Sequence, residues 1–429
     1  MKPRYRVVVV GAGIMGLSTA YHLALRGITD VLVVDRSYLC GGASGRNGGG
    51  VRAQFSSESN IRLMQESIRI CKEFAARMKI NVWFRQGGYL FLTRTADRAR
   101  GLEESVNLQN ECGLPTRLLQ PSEMHAIVPE LNTDGVVLGS FNPKDGVLFP
   151  WPFLWGYARA ARDLGVDIST FTQVVALDAS ADRIQRVRLR KTAHHELVDE
   201  DRAGPTSASR LDVPRRAQRR PAQSAPVRAR SARGESDDEI TIECDEVVCC
   251  AGAWSPEIAR LVGVELPNHP HRHEICSTEP LKPWLRPLVA DLTDGLYFSQ
   301  SSRGEIVGGV GVDPVPPGIN HRSSIEFLGA YSRSLVRAIP RLATVKVLRQ
   351  WAGCYDLTPD GAPIVGRVDS PSNLTFACGF MGHGFMMAPV MGSLLAEHVA
   401  TGQTSDLFAR WNLRRFREGK LLRETMIIG

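Results

Sequence analysis

The stretch YRVVVVGAGIMGLSTAYHLALRGITDVLVVD, residues 5 to 35, strongly constrains what the chain can become. A continuous apolar run rich in valine suits a strand buried on both faces. Gly11, Gly13 and Gly16 follow in G-x-G-x-x-G spacing, then LSTAYHLALRG with helical periodicity, then a second buried strand closed by Asp35. This is a βαβ unit with a dinucleotide-binding turn. The first glycine makes the tight turn, the second admits a pyrophosphate to the helix N-terminus, and the third lets the helix approach the sheet. Asp35 is placed for ribose hydroxyls and disfavours a 2′-phosphate. A basic start and an apolar stretch also suit a secretion leader, but the glycine spacing has a more specific use in the turn.

The turn alone does not separate FAD from NAD. A second glycine-dense segment, GGASGRNGGG at 41 to 50, follows the second strand and favours the longer ligand. Backbone amides there would face a pyrophosphate and a ring system, with Ser44, Arg46 and Asn47 supplying directed hydrogen bonds. The plainer alternative is a flexible glycine loop.

The chain has 429 residues, more than one hydrophobic core usually serves, so two domains are expected. Nothing approaches the apolar length of a membrane span. Nine cysteines show no CxxC pair and no metal-ligand spacing, which points to reduced thiols in the cytoplasm and to no metal site. The net charge of +7 is local: residues 202 to 233 carry nine arginines against the single acid Asp212, a segment of +8 that leaves the rest at −1. The surrounding stretch, 192 to 236, is rich in Arg, Ala, Pro and Ser and reads as a disordered insertion in a β-hairpin. A tolerated loop is preferred to a nucleic-acid-binding one. Helices are expected at 58–80, 101–114, 155–168 and 323–338, and strands at 87–93 and in several short runs between 268 and 350.

Six ordered blocks carry a resemblance: VVVVGAGIMGLSTAYHLALRG, VVDR, GGASGRNGGGVR, VVCCAGAWS, WAGCYDLTPDGAPIVG and CGFMGHGFMMAPVMG. Together they resemble the D-amino-acid oxidase superfamily of FAD-dependent oxidoreductases, which includes glycine and sarcosine oxidases. They look most like the sarcosine oxidase beta subunit and the related proline, opine and glycine dehydrogenase subunits. The resemblance implies an α/β Rossmann-like FAD-binding domain of discontinuous segments (1–85, 145–191, 237–262 and 345–429). A second, α+β domain with an antiparallel sheet (86–144 and 263–344) would cover the substrate. It implies hydride transfer from the carbon beside an amine to flavin N5, giving an imine that hydrolyses. The substrate would be a small amine or amino acid, and a partner subunit or separate electron acceptor is implied. A stand-alone D-amino-acid or glycine oxidase making hydrogen peroxide, and a non-catalytic flavin-binding assembly subunit, are the alternatives.

The resemblance gives cofactor contacts to Gly11, Ala12, Gly13, Ile14, Met15 and Gly16, to Asp35 and Arg36, and to Gly42, Ala43, Ser44, Arg46, Asn47, Gly48 and Gly49. Val174, Ala251, Gly252, Trp254, Gly353 and Gly379 are added, as are Gly382, His383, Gly384, Phe385 and Met386. Arg52 matches a position that pairs with a substrate carboxylate or the flavin region, a role suited to a guanidinium; a tie to a backbone carbonyl or a surface acid is the alternative. Tyr355 falls where a tyrosine stands beside the substrate, with a core-filling tyrosine as the alternative, and His383 either acts there or packs near the ring.

Several positions depart from the pattern. Gly353 stands where monomeric sarcosine oxidases tether FAD through cysteine, and Cys354 is one step away, so non-covalent FAD is expected. Met386 replaces a lysine of the carboxylate clamp. His273 replaces a lysine that promotes reaction with oxygen, which suggests a dehydrogenase, although a cationic His273 could still serve oxygen. FPWPFLWGYAR lacks the histidine that tethers FMN in the heterotetrameric relatives.

Overall fold

Two eight-stranded sheets organise the molecule, and the computed structural model describes residues 1–193 and 239–427 of it. The expected insertion at 192–236 lies outside the described residues from 194 onward. The first sheet is built on the strand Arg4–Val10, which pairs in parallel with Val31–Val34 on one side and Glu239–Cys249 on the other. Asp167–Ser169 extends it beyond Val31–Val34, and Leu374–Cys378 followed by antiparallel Ile364–Arg367 extends it the other way. Val7, Val8 and Val9 are fully buried, as a run apolar on both faces requires in a parallel sheet with both faces covered.

Glu239–Cys249 serves two partners. Its second half pairs with Arg4–Val10, while Glu239 to Glu243 pair antiparallel with Arg186 to Arg190 of the strand Arg183–Lys191, which pairs with Thr172–Ser180. The expected hairpin is therefore present on both sides of the undescribed segment.

The helix Ile14–Leu25 is buried along nearly its whole length, between the sheet and the helix Gly384–Thr401. A Cβ on Gly392 would run into Ser18, so the two helices touch backbone to backbone at that point. The expected helix at 155–168 begins earlier, as Pro150–Asp163. Pro150 and Pro152 lie in its first turn, where the missing amide breaks no hydrogen bond. The helix expected at 101–114 likewise starts earlier, as Ala96–Glu111, and ends before Gly113, whose φ of +83° closes it.

The second sheet runs Val347–Leu357, His269–Pro280, Glu305–Gly309, Tyr297–Gln300, Leu288–Asp291, Tyr89–Thr93, Leu138–Asn142 and Arg117–Leu119. It is antiparallel, as expected, except where Leu288–Asp291 pairs in parallel with Tyr89–Thr93. The helix Ile325–Ala338 covers it through Phe327, Tyr331 and Leu335. Val347–Leu357, grouped by sequence with the first domain, pairs along His269–Pro280 and so belongs to this second sheet. Its alternation of half-buried and buried residues marks a strand with one face on the cavity between the sheets.

Candidate active site

A cavity of about 1290 Å³ opens between the C-terminal ends of the parallel strands and one face of the second sheet. Crevices at that end of an open parallel sheet are where such folds bind ligands. The volume exceeds the roughly 300–1,000 Å³ of most small-molecule sites, which suits a dinucleotide together with a small substrate.

Three turns shape one end. Gly11 has a φ of +107°, and a Cβ there would sit 2.5 Å from the carbonyl oxygen of Cys250, so only glycine lets this turn lie against the next strand's end. Gly13 precedes the helix Ile14–Leu25, whose Ile14 amide donates to Ser44 Oγ at 3.0 Å. Asp35 accepts from the Ala12 amide at 2.7 Å and the Ser37 amide at 2.8 Å, and burial pushes its carboxyl up to about 6. Asp35 thus ties the glycine turn to the second strand while facing the cavity. Arg36 stacks over Trp254, 5.9 Å from guanidinium carbon to ring centre, and both line the rim.

The glycine-dense segment divides its work. Gly42 and Gly48 face the cavity. Gly49, at φ +80°, also packs where a Cβ would overlap the carbonyl oxygen of Leu148, so part of the glycine content serves close approach by the protein itself. Asn47 Oδ1 accepts from the Gly49 amide at 2.7 Å, and Trp351 Nε1 donates to the Arg46 carbonyl at 2.8 Å.

Opposite stands the N-terminus of the helix Gly384–Thr401, capped by His383 and preceded by Gly382 at φ +81°. The positive end of that helix dipole opens on the cavity. Tyr355 packs against Gly382, where a Cβ would lie 2.6 Å from the ring.

Arg52 is 1% exposed. Its Nη1 donates to the Gln54 carbonyl, and its Nη2 donates to the Met426 carbonyl and to His383 Nε2 at 2.9 Å. Its carbon sits 4.0 Å above the Phe55 ring. No carboxylate among the described residues pairs with it, and its Nε–H makes no hydrogen bond to a described residue. Burial lowers its pKa from the ordinary value. Because a guanidinium only donates, His383 Nε2 must accept and the proton sits on Nδ1. Burial, then the Arg52 charge, holds His383 well below the usual histidine range.

His273 lies between two tyrosines, stacked 4.5 Å from Tyr355 and 5.6 Å from Tyr297, and its Nε2 is 2.9 Å from the Tyr297 hydroxyl. Burial pushes it down to about 3 and pushes the Tyr355 phenol up to about 12. All three groups are neutral at physiological pH. The ring-proton resonances of His273 and His383 are therefore expected to stay fixed between about pH 5.5 and 8. A titration midpoint inside that window, seen by NMR, would contradict this electrostatic picture.

Of the sequence-predicted positions, all but Ala12, Gly16 and Gly379 line the cavity. Gly16 packs on the Gly11 carbonyl, and the Gly379 amide donates to Asp356 Oδ2 at 2.6 Å, so both shape the wall from behind. The fold brings Arg52, His383, Tyr355 and His273 to the same cavity. Sequence reasoning missed Tyr89, Tyr297, Asn268 and Asp356. Tyr297 lay in a segment legible only as a strand, and Asp356 gains its role through the Gly379 amide and Asn268 Nδ2, bonds made across the fold. No cluster of potential metal ligands occurs among the described residues, and no helix there is long and apolar enough to cross a membrane.

A glycine turn between parallel strands, two helix N-termini and a cavity of this size define a Rossmann-like enzyme built around a dinucleotide cofactor. The family described as DAO, FAD dependent oxidoreductase, matches residues 6–203 and 215–398. The chain belongs to this family; it is an FAD-dependent oxidoreductase, and FAD is its cofactor. It is 30% identical to the sarcosine oxidase subunit beta of Rhodobacter capsulatus over 438 residues, covering 100% of this chain and 92% of that one. It is 23% identical to the mitochondrial dimethylglycine dehydrogenase of Rattus norvegicus, covering 98% of this chain and 46% of that one. Among solved structures, L-proline dehydrogenase from P. horikoshii superposes with a TM-score of 0.83 at 29% identity, covering 99% of this chain and 100% of that one.

Proposed function

We propose that the protein oxidises the C–N bond of a small secondary amine or amino acid that carries a carboxylate, and that it passes the electrons to an acceptor other than oxygen. One observation carries the substrate class: a buried guanidinium, Arg52, on the cavity wall with no carboxylate partner among the described residues. A buried cation with no carboxylate in direct contact, supported only from farther away by Glu424 and Asp145, is costly, and an anionic substrate would offset that cost. The relatives named for sarcosine, dimethylglycine and proline support the same class.

The residues fit FAD in named roles. Gly11 to Gly16 and the helix they open would hold the pyrophosphate, Asp35 the ribose, and the turn at Gly382 to Phe385 the ring system. FAD, when bound, supplies the hydride acceptor for the carbon beside the amine. Arg52 orients the substrate through its carboxylate. Tyr355 and Tyr297 enclose the amine end and exclude water, and neutral His383 holds Arg52 through Nε2 without adding charge. Neutral His273, standing where a lysine would promote reaction with oxygen, supports the dehydrogenase reading. The beta-subunit relatives support a partner chain as the acceptor.

Non-covalent attachment is part of the proposal. Gly353 offers no thiol, and the neighbouring Cys354 turns its sulfur to the Asn320 carbonyl at 3.7 Å. Acid or heat denaturation should therefore release the whole yellow chromophore into the supernatant. The function is tested anaerobically by adding sarcosine, glycine, L-proline, D-proline and an opine in turn to the flavin-loaded protein. Bleaching by one of them, with an artificial acceptor turning over faster than air, is the expected result. Rapid peroxide formation without any partner would favour the stand-alone oxidase, and a flavin that none of them bleaches would overturn the substrate class.

A further inference from the structure

The segment from Arg415 to Met426 does more than close the fold. Upstream, Arg415 forms a buried fork on Asp360, Nε to Oδ2 at 2.7 Å and Nη2 to Oδ1 at 2.9 Å, and the Leu422 amide joins Asp360 Oδ2 at 3.1 Å. Downstream, the carboxylate of Glu424 is buried and has no cation in direct contact among the described residues, although its charge is felt by Arg52 from farther away. Neutral donors surround it instead. It accepts from the Ser56 amide at 3.0 Å, Ser57 Oγ at 3.1 Å, Asn60 Nδ2 at 2.8 Å and the Met426 amide at 3.0 Å, and from the Ser56 hydroxyl. Ser57 caps the helix Glu58–Met78, so the charge also sits at the positive end of that dipole. The Thr425 amide donates to Ser56 Oγ at 2.9 Å.

Two residues beyond Glu424, the Met426 carbonyl accepts from Arg52 Nη2. Two residues before Ser56, the Gln54 carbonyl accepts from Nη1 of the same guanidinium. Glu424 therefore clamps together the two backbone segments that hold Arg52, one on each side.

We propose that Glu424 is a positioning residue: it docks the segment 422–426 on Ser56, Ser57 and Asn60 so that the Met426 carbonyl fixes the Arg52 guanidinium on the cavity wall, and it thereby sets the affinity for the substrate carboxylate. The inference rests on the reading of Arg52 as the carboxylate's partner. A long cation held in one orientation before binding loses less freedom when the anion arrives, and affinity follows from that preorganisation.

The test uses acetate as the carboxylate probe, titrated into the flavin-loaded full chain and read by the flavin absorbance shift. Glu424→Ala is expected to weaken acetate binding by about tenfold or more while flavin content stays that of the parent. Arg52→Gln is expected to weaken it further. The double variant should bind no more weakly than Arg52→Gln alone, because both changes act through one guanidinium. Acetate binding that survives Glu424→Ala but not Arg52→Gln overturns the positioning role and leaves the carboxylate reading intact. Acetate binding that survives Arg52→Gln, or is absent in the parent, overturns both. Full additivity in the double variant also overturns it. Should Glu424→Ala not fold, Glu424→Gln keeps the size and loses the charge and one acceptor oxygen; unchanged acetate affinity in that variant would equally defeat the proposal.

Discussion

Gly16→Val is expected to yield a protein that retains no flavin and melts well below the parent. A Cβ at Gly16 would overlap the carbonyl oxygen of Gly11, a backbone atom held by the turn on Cys250. The valine must push the helix Ile14–Leu25 away from the first strand. Overpacking of this kind costs about 1–3 kcal/mol, occasionally more. The same displacement moves the helix N-terminus and the Ile14 amide that meets Ser44, so the cofactor's phosphate end loses its seat. The measurement is flavin content by absorbance beside the thermal midpoint. Gly101→Ala is the control: it lies in the helix Ala96–Glu111 with open space where the methyl would go, so it should be neutral or stabilising by about 0.5–1 kcal/mol. A Gly16→Val protein with full flavin content would show that the close approach of helix and strand does not position the cofactor.

Arg52→Gln is expected to raise KM for the amino acid that bleaches the flavin by about 100-fold, since removing one partner of a buried charge pair costs about 2–5 kcal/mol. Flavin content should be retained, because Arg52 makes no hydrogen bond to the turn Gly11 to Gly16 or to Asp35; only its bond to His383 reaches the turn proposed for the ring system. Steady-state kinetics with an artificial acceptor separate the effects. A rise in KM confined to carboxylate-bearing substrates supports the role of Arg52, whereas equal losses on an amine without a carboxylate would assign it to the cofactor's surroundings.

The end of the cavity proposed for the nucleotide was legible in the linear chain because its parts are local. Gly11, Gly13, Gly16 and Asp35 belong to one βαβ unit, and hydrophobic periodicity marks the strands and helix on either side. The end proposed for the substrate was legible only as separate blocks. Arg52, Tyr355 and His383 were placed by resemblance, but their mutual contacts, and the stacking of His273 between two tyrosines, depend on pairings between distant strands. Neither spacing nor composition encodes these directly. The neutrality of His273 and His383 is of the same kind, because burial, not residue type, sets their protonation. The sheet partner of the strand Val347–Leu357 is decided the same way: it reads like any half-buried strand until His269–Pro280 is seen beside it.

By itself, then, the sequence determined a parallel-sheet core, a dinucleotide turn and a second glycine-rich segment, because backbone geometry and short-range periodicity are local properties. Only the tertiary structure decided which side chains share the cavity, which of them are charged there, and that Glu424, 372 residues after Arg52, clamps the segment on which that arginine rests. Long-range contacts and desolvation are properties of the packed chain, and they do not exist until it has folded.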